Sequence, residues 1–373
     1  MTEIDTPYAT VYLDATHDTE DAEHALRLRW AEARGELERQ GADAGTLDAL
    51  EAAVTGGERA VGRAGRVLVA RGGEVLLDRA LPEPPARTVA TWSPVPELLP
   101  MLLDETEPLT AVVVRVDKAG GEIYLTDAGD RGAGAEQVET VKGDDHPLHK
   151  VRSGGWKHLK MQHTVENTWS ENVGDVAARV DVQVSATGAR LVVLAGEAQS
   201  RTLLREALGE RAAKVAVEVE HSGLRAGGSL DELEDAVEDA ARRAVSAERH
   251  AVLERYDQAA GRPDGLAVHG IGPVLGALRA EAVDVLLLDG GVEREAQVWV
   301  GKEPAHVAAD PEELRAMGAE PVARVPVDAA LLRAAAGSAA RFEPIGGGRT
   351  GLVGRPVTDG VAALLRYPLG AGA

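Results

Sequence analysis

The stretch Lys142 to His163 reads KGDDHPLHKVRSGGWKHLKMQH. From His146 to His163 it holds four Lys or Arg, four of the chain's ten histidines and no acid, while the chain as a whole carries a formal net charge of -21. A basic island in so acidic a protein points to a contact with phosphates. Ser153, Gly154, Gly155 and Trp156 stand directly before a helical pattern, so the island reads as a flexible loop entering a helix N-terminus. Two glycines permit backbone conformations in which successive amides converge on one anion, and the free N–H groups of the helix add partial positive charge. Lys157 and Lys160 are placed on the first turn, where a cation is disfavoured by roughly 0.3–1 kcal/mol against the helix dipole. A bound phosphate would supply the missing negative charge. The competing reading is a solvated loop with lysines for solubility. Trp156 can either stack on a nucleobase, worth roughly 1–3 kcal/mol, or tuck under the loop as an apolar anchor.

Working outward, 373 residues exceed one ordinary core, and the organisation expected is three domains. With 44% apolar residues and 3% aromatics, the cores must be built from Val, Leu and Ala. The chain has no cysteine, which excludes disulfides, thiolate metal sites and a cysteine nucleophile. The N-terminus MTEIDTPYATVYLD lacks a basic region followed by an apolar run, and no segment approaches the roughly 18 apolar residues of a membrane span. A soluble, cytoplasmic protein is expected, with no membrane partner. Its acidity argues against coating DNA or any other polyanion, which repels it over a screening length of roughly 8 Å. Nucleic-acid contact must therefore be local.

In chain order, Tyr8 to Asp14 reads as a strand and Glu20 to Gln40 as a helix with apolar Leu26, Trp30, Ala33 and Leu37. Leu47 to Val54 continues helically. Arg66 to Ala70 and Glu74 to Ala80 form a hairpin around Gly72 and Gly73, and the proline-rich passage Pro82 to Pro100 interrupts the pattern. Ala111 to Asp117 and Glu122 to Thr126 alternate at period two around Gly120 and Gly121, opening a new sheet that Gln137 to Val141 joins. After the basic loop, Leu159, Val165, Trp169, Val173, Val176 and Val180 mark one face of a long helix. Arg190 to Ala195, Arg201 to Leu208 and Lys214 to Glu220 make a strand, helix, strand unit of the kind that builds parallel sheets. Leu230, Leu233, Val237, Ala241 and Ala244 form the stripe of a helix that runs on to Ala260, its acidic side reading as a solvated face. Helix and strand then alternate: Ile271 to Ala280, Val283 to Asp289, Gln297 to Val300, a helix capped by Asp310 and opened by Pro311, and Val322 to Val327. Domains are expected at 1–107, 108–245 and 246–373.

Three other motifs are weaker. Gly346 to Gly351 (GGGRTG) matches the dinucleotide fingerprint, but too little chain follows for the helix and second strand that motif requires. His146, His149, His158 and His163 are interleaved with Lys150, Arg152, Lys157 and Lys160, which would repel a dication, so no metal is expected. Ser153 lies in no G-x-S-x-G elbow. No cofactor is implied.

A Gly-Gly loop with basic residues before it, opening a long helix and followed by the strand, helix, strand unit, resembles the central domain of the archaeal and eukaryotic class-1 peptide chain release factors and their bacterial relatives. The segment Gly360 to Tyr367, GVAALLRY, is similar to the one that closes their third domain, and Ser246 to Asp289 resembles that domain's start. The likeness covers roughly 108–373 and extends to the first domain only in general architecture. Within the family, the sequence resembles the actinobacterial branch that includes mycobacterial homologues of the ribosome hibernation factor Balon. The resemblance implies a three-domain α/β architecture, each domain a mixed sheet with packed helices and the third similar to the L7Ae-like fold.

It also implies a ribosome-binding factor that enters the A site. Its RNA-binding loop would comprise Lys150, Arg152, Gly154, Gly155, Trp156, Lys157, His158, Lys160 and His163, directed to 23S rRNA at the peptidyl transferase centre of the 70S ribosome. The first domain would lie near the decoding centre and the third would face a translational GTPase, elongation factor Tu in the Balon-like branch. In release factors the loop reads Gly-Gly-Gln, whereas Trp156 stands in the glutamine position here. An indole cannot replace a primary amide, so no catalytic residue is assigned and a non-catalytic hibernation role under stress is expected. Asn-Ile-Lys-Ser, the codon-reading tetrapeptide of the family, is absent. The alternatives are a peptidyl-tRNA hydrolase that rescues stalled ribosomes through the loop backbone, and an acidic adaptor that binds proteins alone.

Overall fold

The computed structural model describes residues 4–18, 21–56, 62–104, 109–117, 120–128, 136–142, 156–219, 230–290, 292, 296–345 and 357–369. The chain divides into two compact units, one formed by Met1–Glu105 with Val252–Ala373 and the other by Thr106–Ala251.

The first section opens with β1 (Tyr8–Asp14), α1 (Ala22–Gln40) and α2 (Ala44–Gly56), followed by β2 (Gly65–Arg71), β3 (Glu74–Leu81), β4 (Val89–Ser93) and α3 (Leu99–Asp104). Its sheet has the order β3-β2-β1-β4. Every pairing in it is antiparallel, which corrects the mixed sheet expected for this section. The cause is the return of the chain after α1 and α2: β2 runs back against β1, and the β2–β3 turn reverses it again through Gly72 (φ 58°) and Gly73 (φ 83°). The passage Pro82 to Pro100 also differs from expectation, since β4 and the start of α3 fall within it. Proline-free TVATWS is long enough for a five-residue edge strand, and the prolines flank it. Trp30, Ala33 and Leu37 of α1 and Leu47, Leu50 and Val54 of α2 pack on Ala9, Val11, Leu13, Leu68 and Ala70.

The central unit holds β5 (Leu109–Asp117), β6 (Gly120–Ala128), β7 (Glu136–Lys142), α4 (Trp156–Thr187), β8 (Leu191–Gly196), α5 (Ala198–Ala207), α6 (Glu210–Lys214), β9 (Ala216–Glu218) and most of α7 (Leu230–Ala260). The sheet order is β7-β6-β5-β8-β9, with β5, β8 and β9 parallel and the β5–β6–β7 meander antiparallel. Val112, Val114 and Val116 meet α4 on one face, while Leu109, Ala111 and Val113 meet α7 on the other. Burial on both faces is why AVVV and LVVLA run apolar, where alternation at period two was expected from Ala111. Part of the stretch read as strand from Lys214 lies in α6 instead.

The last section contains β10 (Ala267–His269), α8 (Ile271–Arg279), β11 (Val283–Asp289), β12 (Gln297–Val300), β13 (Val307–Ala308), α9 (Pro311–Ala316), β14 (Ala323–Pro326), α10 (Val327–Gly337), β15 (Arg341–Ile345) and β16 (Val361–Leu365). One sheet has the order β10-β16-β11-β15 and a smaller one β13-β12-β14. The final strand thus sits inside its sheet, between β10 and β11. The residues beside it cap both ends of α8: the Asp359 carboxylate accepts from the Ile271 N–H (3.2 Å), and Arg366 Nη1 donates to the Glu281 carbonyl (3.1 Å). Each charge opposes the helix dipole at its end. Arg366 Nη2 also reaches the carbonyls of Ser338 and Ala339 beyond α10 (3.0 and 3.1 Å). Glu281 (φ 52°), Ala339 (φ 51°) and Asp359 (φ 58°) are non-glycine residues in the left-handed region, at roughly 1–2 kcal/mol each. Arg366 gathers carbonyls from two of these strained turns, and so helps hold them.

Asp43 caps α2. Its carboxylate accepts the Thr46 hydroxyl (2.7 Å) and the Thr46 N–H (2.9 Å), and the Thr46 oxygen in turn accepts the Gly73 N–H (3.1 Å). These bonds, the hydroxyl first, hold the Asp43 pKa below the usual carboxylate value. A carboxyl depressed in the folded state stabilises the fold above its unfolded pKa, and that contribution fades as pH falls through the folded one. Asp43→Ala should therefore lower stability by about 1 kcal/mol at neutral pH. Denaturant unfolding repeated in acid should show the gap between wild type and variant closing.

Candidate nucleic-acid interface

The basic island meets the described structure at α4. This helix begins at Trp156, so Trp156 and Lys157 lie in its first turn, with His158, Lys160 and His163 within its first eight residues. Lys160, the fifth residue, opens the second turn and not the first as expected. The first turn contains no acidic residue. The unpaired N–H groups of a helix start, the macrodipole and Lys157 therefore carry the same sign at this end, a combination suited to an anion. Lys150, Arg152, Gly154 and Gly155 lie outside the described residues, as do Ser153, His146, His149 and the GGGRTG stretch. The same holds for the side chains of Trp156, Lys157, His158, Lys160 and His163.

The mount of this helix is fully described. Val173, Val176, Ala177, Val180 and Val184 are buried at spacings of three and four, against Val112, Val114, Ile123, Val192 and Leu194 of the sheet and Leu204 and Ala212 of α5 and α6. Val173, Val176 and Val180 are members of the predicted stripe. Leu159, Val165 and Trp169 have side chains outside the described set. Gly121 lets β6 approach: a Cβ there would lie 3.0 Å from a Val176 methyl. At 1.5 Å per residue, Trp156 is about 25 Å along the axis from Val173.

Two polar ties fix the other side of α4. The Asp181 carboxylate accepts the Gly209 N–H with both oxygens (3.1 and 3.0 Å), holding the start of α6, and Arg179 pairs with Glu139 of β7 (3.3 Å). Neither was legible in the sequence, since the Asp181–Gly209 tie spans 28 residues and has no periodic signal. At the end of β8, Gly196 (φ 111°) cannot carry a side chain, because a Cβ would fall 2.1 Å from the Val116 carbonyl oxygen. Arg201, 7% exposed, donates to the Gly196 carbonyl (3.0 Å) and lies 3.6 Å from Glu218.

The opposite side of the sheet is acidic. Leu233, Val237, Ala240 and Ala241 of α7 pack inward, and Glu234, Asp235, Glu238 and Asp239 point to solvent. At the edge of that packing, Arg115 is paired with Glu122, and the Tyr124 hydroxyl donates to the same carboxylate (3.0 Å). Burial first, and then the Glu122 bond and charge, push the Tyr124 pKa up. The central unit thus carries its described acidic face on α7 and a cationic start on α4. Among the described residues no group of three or more His, Asp or Glu could hold a metal ion, and no helix is long and apolar enough to cross a membrane.

Residues 110–262 match the model of bacterial archaeo-eukaryotic release factor family 2, from the start of β5 to just beyond α7. Two uncharacterized proteins of Mycobacterium tuberculosis are each 36% identical over 372 residues, covering 97% of this chain and 93% of the relative. Among solved structures, Archaeoglobus fulgidus Pelota is similar at 16% identity and TM-score 0.34, covering 82% of this chain and 84% of that one. Dom34 of S. cerevisiae, described as a translation termination-like factor involved in RNA quality control, gives 10% identity, TM-score 0.38 and coverage of 82% and 81%.

Asp181→Ala should leave the Gly209 N–H without its acceptor and cost the central unit about 1 kcal/mol. Thermal unfolding followed by Trp169 fluorescence, with the other tryptophans replaced by phenylalanine, would show the lowered midpoint.

Proposed function

The chain belongs to bacterial archaeo-eukaryotic release factor family 2, and from that premise we propose that it is a ribosome-binding translation factor that occupies the A site without catalysing release. The observation that carries this reading is the residue after Gly154 and Gly155. A release factor presents a glutamine amide to the ester of peptidyl-tRNA, and this chain presents Trp156. The two glycines and the basic flank are retained, so the means of reaching a phosphate-rich site are kept. What is lost is a small polar side chain able to donate and accept a hydrogen bond beside a reacting carbonyl. A factor that arrives and cannot hydrolyse keeps the ribosome idle, which is a hibernation role.

Electrostatics supports local docking through this loop. At a net charge of -21 the body is repelled by RNA, and the segment from His146 to His163 with the positive start of α4 supplies a local attraction. In the complex, Lys150, Arg152, Lys157 and Lys160 would contact phosphates of 23S rRNA near the peptidyl transferase centre, and Trp156 would stack on a base. The first section would then approach the decoding centre, with the last, an L7Ae-like fold in this reading, turned to a GTPase such as elongation factor Tu.

One feature favours a second reading. The Trp156 backbone N–H persists whatever the side chain, and could position water or an oxyanion for peptidyl-tRNA hydrolysis. The two readings part on product: purified protein at saturation over ribosomes carrying peptidyl-tRNA should liberate no peptide, and free peptide would establish the hydrolase.

Binding itself is tested by sedimentation. In stationary-phase lysates the protein should travel with 70S particles, and the triple variant Arg152→Glu, Lys157→Glu, Lys160→Glu should stay at the top of the gradient. Replacing those three by glutamine should lower the slope of log affinity against log salt by about 3. Unchanged co-sedimentation of the triple glutamate variant would remove the loop from the interface.

A further inference from the structure

We propose that residues 1–105 and 252–373 form one cooperative body, so that a partner gripping the last section also fixes the position of the first. This inference concerns the larger unit alone and holds whether or not the chain binds ribosomes.

The first section does not bury itself. Ala9, Val11 and Leu13 point from β1 into its own helices, but the alternate residues Tyr8, Thr10 and Tyr12 are also buried, at 1%, 1% and 3% exposure. A lone antiparallel sheet with helices on one side would leave that second face wet. Segment 95–104 covers part of it: the Tyr12 hydroxyl donates to the Glu97 carbonyl (2.8 Å), and the Glu97 N–H donates to the Thr10 hydroxyl (3.4 Å). That cover is itself held from the far end of the chain. Ile4, Val95 and Leu99 belong to one buried cluster with Val274, Leu288, Val292 and Leu331 of the last section, and are 4%, 2% and 3% exposed.

Two further contacts lock the seam. Gly290 accommodates Leu103, since a Cβ there would lie 3.1 Å from a Leu103 methyl. Arg333 is 4% exposed, donates to the carbonyls of Lys302 (2.6 Å) and Glu303 (3.1 Å), and lies in the neighbourhood of Tyr8. Tyr8 is also held by Arg71, whose guanidinium lies 5.0 Å over the ring and donates to the hydroxyl (3.0 Å). Parting the sections would expose three aliphatic side chains together, a penalty on the order of 10³ or more in the opening equilibrium.

Assembly of the last section depends in turn on its final strand. β16 lies between β10 and β11, and Arg366 ties the turns after α8 and α10. The body is therefore complete only when residues 361–366 are in place, so the N-terminal section is closed by the C-terminal one.

Hydrogen exchange on the full chain at increasing denaturant tests this. Slowest-exchanging amides of β1 and of β11 in the wild-type protein should share one opening free energy and one denaturant dependence. Arg366→Ala, which touches only the last section, should speed exchange in both by the same factor, on the order of 10-fold. Leu99→Ser should do the same from the other side. A wild-type β1 that opens in a separate transition from β11, or an Arg366→Ala chain whose β1 protection is unchanged, would overturn the proposal. Should either variant fail to fold, the wild-type comparison decides alone.

Discussion

A helix buried over most of its length sits in the core of the larger unit. In α10, Val327, Ala329, Ala330, Leu331, Ala334 and Ala335 are buried, and so are its polar members Asp328 and Arg333. Burying a guanidinium without partners is prohibitive, and Arg333 meets the requirement with the carbonyls of Lys302 and Glu303. The desolvation that remains holds its pKa below the usual value for arginine. Small side chains on α10 allow close approach from several directions, so the β11 sheet, the β12 sheet and the segment carrying Val95 and Leu99 share one core around it. That sharing joins the two ends of a 373-residue chain into one unit. The central section, with its own two-faced sheet, makes the other.

How much of this could be read from the residues depended on whether each element faces water. α1, α4 and α7 have one solvated face each, so their apolar positions recur at three and four and their extents were legible from spacing. β5 was legible from its β-branched composition and the Gly120–Gly121 turn after it, and β8 as the strand of a strand, helix, strand unit. The helix that matters most for packing was not legible: VDAALLRAAAG is apolar nearly all round, and a helix buried on most sides has no narrow stripe to detect. β4 was hidden by the prolines that flank it, and α6, at five residues, is too short for any period. Contacts between distant positions, such as Arg366 with the turns at Glu281 and Ala339, have no periodic signature at all. The mixed sheet expected of the first section failed because strand direction is set by how the connecting helices return the chain, which residue pattern alone does not encode.

The candidate interface was legible for a different reason. Its signal is a contrast of charge, four cations and no acid across His146 to His163 in a chain at -21, and contrast survives without any knowledge of the fold. The structure adds that the backbone of the island's last eight residues, Trp156 to His163, forms the start of α4. α4 is clamped from Val173 to Val184 between the sheet and α5, with Asp181 and Arg179 as polar ties, and its N-terminal end carries Trp156 and Lys157. In the proposed complex, this anchoring would give the other end of the helix a defined place from which to meet RNA, with little ordering entropy lost in the helix itself. Trp156 at its first residue is large, aromatic and unable to act as an amide, which suits occupancy over hydrolysis.

The central claim is that this end of α4 and the loop before it fill the peptidyl transferase centre of an idle ribosome. A structure of the protein bound to 70S ribosomes tests it most directly. The account predicts continuous density for residues 150–163 against 23S rRNA, with the Trp156 indole on a base and intact peptidyl-tRNA or an empty P site beside it. Density that places the chain elsewhere on the particle, or that leaves residues 150–163 without contact to RNA, would contradict it.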